Sequence, residues 1–284
     1  MLVLLGVAVV FSSNHLAARF AFDHGVSVAA AVAVRAASTS LVMLVAMRLM
    51  SIAVAIPRAL RAPALFAGIL VATQSYCLYS AVKIISPALA LLVFHTSPML
   101  YVLLTWALRN ERPRWGVLAP MLLALVGLAL ALDLRTDQFA ARWHEIGTGA
   151  AWAFASAVCM TLVYYLNAHS LKAVDGRLRT FTMTTVTAVL MLAGGVAADA
   201  LVMPHDTTGW VALVCLTVLY CVGMISLFVV LPRISVVSTA ALNFEPISLL
   251  ALGWLFLGQS VTPLQLAGAF VTVSAIAWLG LSKH

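Results

Sequence analysis

Leu242–Asn243–Phe244–Glu245–Pro246 lies inside an apolar run from about Ser235 to Leu257, long enough to cross a bilayer. Glu245 is the one acidic residue in the middle of any such run. A charge at that depth costs several kcal/mol on most scales, so the side chain must face protein or water. Pro246 beside it removes a helical N–H and frees a carbonyl about one turn earlier. The same device recurs upstream as His95–Thr96–Ser97–Pro98. A polar, broken helix at mid-membrane, once in each half of a chain, points to a transported ligand.

Composition sets the same frame. Of 284 residues, 64% are hydrophobic and 9% charged, and mean hydropathy is +1.09. A water-soluble domain of this length carries far more charge, so the expected fold class is all-α, a polytopic membrane protein. The net charge of +7 is better explained by basic loops on one side of a membrane than by nucleic acid. No basic cluster is interleaved with stacking aromatics. Cys77, Cys159, Cys215 and Cys221 fall within apolar spans without CxxC spacing and read as packing residues. No cleavable signal peptide is evident, since Met1 runs straight into apolar sequence.

Ten apolar segments can be marked: 2–22, 26–49, 64–83, 86–108, 114–132, 146–168, 180–202, 209–231, 235–257 and 263–281. Pro98 and Pro246, Glu111 and Gln259, and Pro120 and Gly268 each stand 148 residues apart. That offset divides the chain into a five-helix repeat at 1–132, a linker at 133–145 and a second five-helix repeat at 146–284. An odd number of spans turns the second repeat upside down, which is the inverted-repeat plan of secondary transporters. With the N-terminus in the cytoplasm, inner connections hold eleven Lys and Arg and outer ones four, so both termini are expected inside.

With these pieces assembled, the chain resembles the EamA-type drug/metabolite transporters along essentially its whole length. The clearest matches are Asn243–Phe244–Glu245–Pro246 and Gly253–Trp254–Leu255–Phe256–Leu257–Gly258, with Thr96–Ser97–Pro98 through Asn110–Glu111–Arg112 as the weaker first-half equivalent. Arg35 looks like the arginine these proteins often carry in the second span. The resemblance implies secondary export of small metabolites, amino acids first, across a bacterial inner membrane. Transport would proceed by alternating access around a central cavity lined by spans 1, 3, 4, 6, 8 and 9. The sequence departs from the pattern at two places: Gln259 stands where an acid is common, and Asn14–His15 replaces a Trp-small pair.

The expected substrate-binding residues are Asn14, His15, Gln74, Tyr79, His95, Trp152 and Asn243. His95 and Asn243 stand 148 apart, just before the two proline breaks, and are expected to line one cavity. Glu245 is either a proton-coupling carboxylate or a structural carboxyl satisfying amides around Pro246, and the sequence leaves both open. Ser12, His15 and Arg19 share one face of the first span, with Arg19 expected to reach the outer headgroups. Thr73, Tyr76, Ser80 and Lys83, broadened by Gln74 and Tyr79, form a polar stripe expected to face the interior. Arg35 needs a partner at its depth, and Glu245 is a candidate. Trp152 and Tyr164 are weaker cavity candidates.

No HExxH, zinc-like Cys/His set or Gly-rich phosphate loop is present, so metal, cofactor and ATP are not expected and the chain does not read as an enzyme. The alternatives are a membrane-embedded lipid-modifying enzyme and a non-transporting lipid flippase subunit. The expected partners are a small-molecule substrate and the bilayer, with the protein acting as monomer or homodimer.

Overall fold

Inside a bilayer a spanning segment satisfies its backbone N–H and C=O groups within a helix or a closed barrel. The computed structural model describes residues 2–52, 54–110, 115–131, 143–230, 245–257 and 261–281, and every regular element among them is helical. The helices are α1 Leu2–Asp23, α2 Val28–Leu49, α3 Arg58–Ile84, α4 Pro87–Phe94, α5 Ser97–Arg109 and α6 Trp115–Ala131. They continue with α7 Trp143–His169, α8 Gly176–Ala197, α9 Thr207–Val230, α10 Glu245–Leu257 and α11 Pro263–Leu281. Among the described residues six stretches are long and apolar enough to cross a membrane, with α4 and α5 taken together as Pro87–Arg109. Pro263–Ala275 in α11 is a shorter apolar stretch. Asn243, Glu111, Gln259 and most of the 133–145 linker lie outside the described residues.

Helix ends depart from the apolar runs where local capping overrides hydropathy. The α7–α8 connection stops at Asp175, not Arg179, because the Asp175 carboxylate accepts from the Arg177 amide and starts α8 at Gly176. The connection before α3 ends at Pro57, so Pro63 lies inside the helix and not in the loop. The fourth span divides at His95–Thr96. There the amide and hydroxyl of Thr96 both reach the Val93 carbonyl, at 3.1 and 2.8 Å. Pro98 then occupies the first turn of α5, where its missing N–H leaves no bond broken.

Helices pair in a reciprocal pattern. α1 packs on α9 and α3 on α7; α2 meets α8 and α9, and α8 also meets α3; α4 meets α7 and α10, and α10 meets α1; α6 meets α11. With α4 and α5 counted as one, moving each of these helices five places along returns the same pairs, whereas the contacts of α3 with α1, α2 and α4 have no such counterpart among the described residues. The α6–α11 crossing is tight: a Cβ on Gly127 would collide with Thr272 Oγ1 and would stand 2.6 Å from the Thr272 amide nitrogen and 2.8 Å from the Gly268 carbonyl. Small residues admit such backbone approach where no hydrophobic effect drives association. Gly127→Ala is therefore expected to destabilise the protein by roughly 1–3 kcal/mol. Gly194→Ala, with nothing within 4 Å, should leave the melting temperature unchanged. Equal melting curves for the two variants would contradict this packing.

The two ends of the bundle are closed differently. At one, the α1–α2 connection is bonded to the α8–α9 connection. Ser27 N–H donates to the Val202 carbonyl at 3.0 Å, and Val202 N–H donates to Ser27 Oγ at 3.1 Å. His24 Nδ1 lies 2.6 Å from Asp206 Oδ2. The Gly209 amide first, and then the His24 ring, hold the Asp206 carboxyl below the usual carboxylate range. Gly25 permits the approach, with φ at +90° and the His205 ring where a Cβ would stand. At the other end Met47, Ile52, Ile56 and Leu60 meet Leu171, Val174 and Leu178 in an apolar cluster.

Candidate functional site

An ionisable side chain inside a membrane bundle needs partners on neighbouring helices, and the described residues gather Arg35 and Glu245 in one place. Arg35, 6% exposed on α2, stacks against two tyrosines: its Cζ lies 3.9 Å from the Tyr220 ring centroid and 4.8 Å from that of Tyr79. One terminal nitrogen donates to Ser75 Oγ at 2.9 Å. Ser75 in turn donates to Gln74 Oε1 at 3.3 Å. Gln74 Nε2 donates to Ser156 Oγ at 3.1 Å, and Ser156 donates back to the Gln74 carbonyl at 3.0 Å. The arginine is thus tied through α3 to α7.

The tyrosine leads the other way. Tyr79 hydroxyl donates to Asn14 Oδ1 at 3.0 Å, and Asn14 Nδ2 donates to the Leu216 carbonyl of α9. His15 meets the Tyr79 ring edge-on, with centroids 5.9 Å apart. Its Nε2 stands 3.5 Å from Glu245 Oε1, a close contact longer than an ordinary hydrogen bond. Ser12, one turn before, shares its hydroxyl proton between the Ala8 and Glu245 carbonyls, at 2.9 and 2.8 Å. The Tyr164 hydroxyl of α7 has Ser97 and Glu245 as polar neighbours. Glu245 opens α10, where unpaired amides favour a carboxylate. Its side chain remains 16% accessible.

Asn14, His15, Gln74 and Tyr79 fall in one cluster with Glu245. His95 is half-buried at the α4–α5 break, with Nδ1 2.7 Å from the Leu91 carbonyl. Trp152 lies apart, 36% exposed and edge-on to Tyr76. Asn243 lies outside the described residues, and of Pro246 only its place in the first turn of α10 is described.

Three expectations need correction. The stripe Thr73–Tyr76–Ser80–Lys83 does not turn inward. Thr73, Tyr76 and Lys83 are exposed, with Ser80 half-buried, on the same side of α3 as Leu65, Phe66 and Ile69. Thr73 returns its proton to the Ile69 carbonyl at 3.0 Å, so an outward hydroxyl there is satisfied without a neighbour. The buried polar face is Gln74, Ser75 and Tyr79. Arg19 is not left free at the helix end: it donates to the Val82, Lys83 and Ile85 carbonyls at the end of α3 and pairs with Asp23 at 3.2 Å. A cation there meets the negative end of the helix dipole. Glu245 has His15 as its close ionisable neighbour, while Arg35 bonds Ser75 and stacks on the two tyrosine rings. Ser75, Ser156 and Tyr220 were not singled out in the sequence; a mid-span tyrosine in α9 opposite a buried arginine was the available signal.

Among the described residues no three His, Cys, Asp or Glu side chains gather as a metal site. A family model described as the EamA-like transporter family matches residues 1–132 and 147–281.

The chain belongs to the EamA-like transporter family.

Family members are transporters, so this EamA-like protein is a multi-pass membrane transporter of small molecules. No curated protein sequence matches it. Among solved structures, one titled only as the crystal structure of a protein is similar over 99% of this chain and 96% of its own. That likeness, with a TM-score of 0.68 at 22% identity, is one of fold.

Proposed function

We propose that the protein is a secondary carrier that exports small metabolites, amino acids or related amphipathic compounds, by alternating access between two inverted five-helix halves. The observation that carries this reading is the Arg35–Tyr79–Asn14–His15–Glu245 cluster, assembled from α1, α2, α3 and α10 with Leu216 and Tyr220 of α9 and sealed among apolar helices. The helix starts at Ser97 and Glu245 aim polar ends into the apolar bundle, as substrate sites of such carriers do. The reciprocal pairing of helices supports two related halves. In this reading ten spans cross a bacterial inner membrane with both termini in the cytoplasm, and spans 1, 3, 4, 6, 8 and 9 surround the cargo.

Reconstitution into liposomes with a panel of radiolabelled metabolites tests the function. Saturable movement of an amino acid that requires the protein is expected, and no movement of any panel member would overturn the reading. The topology has its own test. A cysteine at Gln138 should react with an impermeant thiol reagent from the outer face, and labelling from the cytoplasmic face alone would reverse the orientation.

A further inference from the structure

Between Ser51 and Arg58 the α2–α3 connection carries no polar side chain: residues 52–57 read Ile-Ala-Val-Ala-Ile-Pro. Its two sides differ. Ile52 and Ile56 pack inward on the cluster of Met47, Leu171, Val174 and Leu178 that closes this end. Leu49, Met50 and Val54 are exposed, Leu49 by 82%. Guanidinium groups bracket this apolar rim. Leu41, Val45 and Arg48 share one outward face of α2, and Arg58, Arg61, Leu65 and Ile69 share one outward face of α3. Each face is apolar along its length and cationic at this end, the order in which a lipid presents acyl chain and phosphate. Arg61 Nε donates back to the Ile56 carbonyl at 3.3 Å, and Arg177 at the start of α8 reaches Met50 Sδ at 3.2 Å. The Arg48 and Arg58 side chains make no hydrogen bond or ion pair to the described residues. Asp175 is the one carboxylate at this end among the described residues, and Arg177 occupies both its oxygens, at 3.2 Å each. The opposite end sets Arg19 and Lys83 against Asp23, Glu145, Asp199 and Asp206.

We propose that the α2–α3 connection and its flanking arginines form a docking surface for anionic glycerophospholipid of the surrounding membrane. Arg48, Arg58 and Arg61 take the headgroup phosphates, while Leu49, Met50 and Val54 enter the boundary between headgroups and acyl chains. Charge complementarity selects the occupant. Cations without carboxylate partners, set beside exposed apolar side chains, match a molecule that joins a phosphate to hydrocarbon. A soluble anion would leave the apolar rim in water, and a choline headgroup would bring its own cation to the arginines. The surface is the back of the same connection whose Ile52 and Ile56 close the bundle, so a bound lipid also holds that closure in place. The inference requires a membrane around the helices and is independent of which cargo moves.

The test uses purified protein in nanodiscs of phosphatidylcholine alone, or of phosphatidylcholine with an equal amount of phosphatidylglycerol. Native mass spectrometry counts the lipids that each protein retains from the mixed bilayer. The wild type is expected to retain phosphatidylglycerol over phosphatidylcholine and to melt several degrees higher in the mixed bilayer. Arg48→Gln, Arg58→Gln and Arg61→Gln should each lower that preference by about fivefold. Lys83→Gln, at the opposite end, should leave it unchanged. Val54→Asp keeps all three arginines and alters an exposed side chain. It should melt like the wild type in phosphatidylcholine and lose the gain from phosphatidylglycerol, which decides the matter even if an arginine variant does not fold. Equal retention of the two lipids by the wild type, or a preference that survives the arginine changes, would overturn the proposal. So would a gain that Val54→Asp leaves intact. Inorganic phosphate that reproduces the melting gain in detergent would overturn the lipid assignment, because the surface would then serve a soluble anion.

Discussion

Glu245→Gln in proteoliposomes should abolish accumulation of cargo driven by a proton gradient, while exchange of cargo against preloaded cargo continues near the wild-type rate. Each pH unit of gradient supplies about 1.4 kcal/mol, or tenfold accumulation, to a carrier that moves one proton per cycle. A glutamine fills the same space at the start of α10 and still faces His15, but it cannot release or take a proton. The Ser12 bond to the Glu245 carbonyl uses the main chain and survives the substitution. Unimpaired gradient-driven accumulation would exclude the coupling role. Failure of the variant to appear as folded protein would favour the structural role for the carboxyl.

Asn14→Leu should lower stability by about 2–4 kcal/mol, because it strands the Tyr79 hydroxyl and takes one partner from the Leu216 carbonyl. Asn14 has no exposed surface and Tyr79 is 1% exposed, so water cannot take over either bond. The melting temperature should fall markedly. Below the transition, affinity for cargo should match that of the wild type. A stable variant with selectively weakened binding would make Asn14 a direct cargo ligand.

Much of this was legible in the sequence because the governing constraint is solvation. Runs of apolar residues locate spans wherever the surroundings are lipid, and Glu245, Arg35 and His15 stand out against such runs. Pairing within the cluster was not legible. Arg35 and Glu245 are opposite charges at similar depth, and only packing reveals that tyrosine rings and Ser75 hold the first while His15 meets the second. The α3 stripe misled because polarity was equated with burial. A threonine bonded to its own helix, and a tyrosine edge-on to Trp152, are satisfied on an outward face. Arg19 misled similarly, since a long cation near a helix end has carbonyls within reach before headgroups. The break in the fourth span was visible as a proline, but its placement at His95–Thr96 depends on local bonds one turn upstream.

The unlike closures at the two ends have a thermal consequence. Joining Ser27 to Val202 and His24 to Asp206 exchanges water hydrogen bonds for internal ones, a balance with little heat-capacity change. Joining Met47, Ile52 and Ile56 to Leu171 and Val174 removes apolar surface from water, which carries a large negative heat capacity and weakens on cooling. In the alternating-access cycle proposed above, the ratio of the two open states would then drift with temperature. Cooling releases the greasy end first, so a cell growing in the cold would run the same cycle from a different resting state.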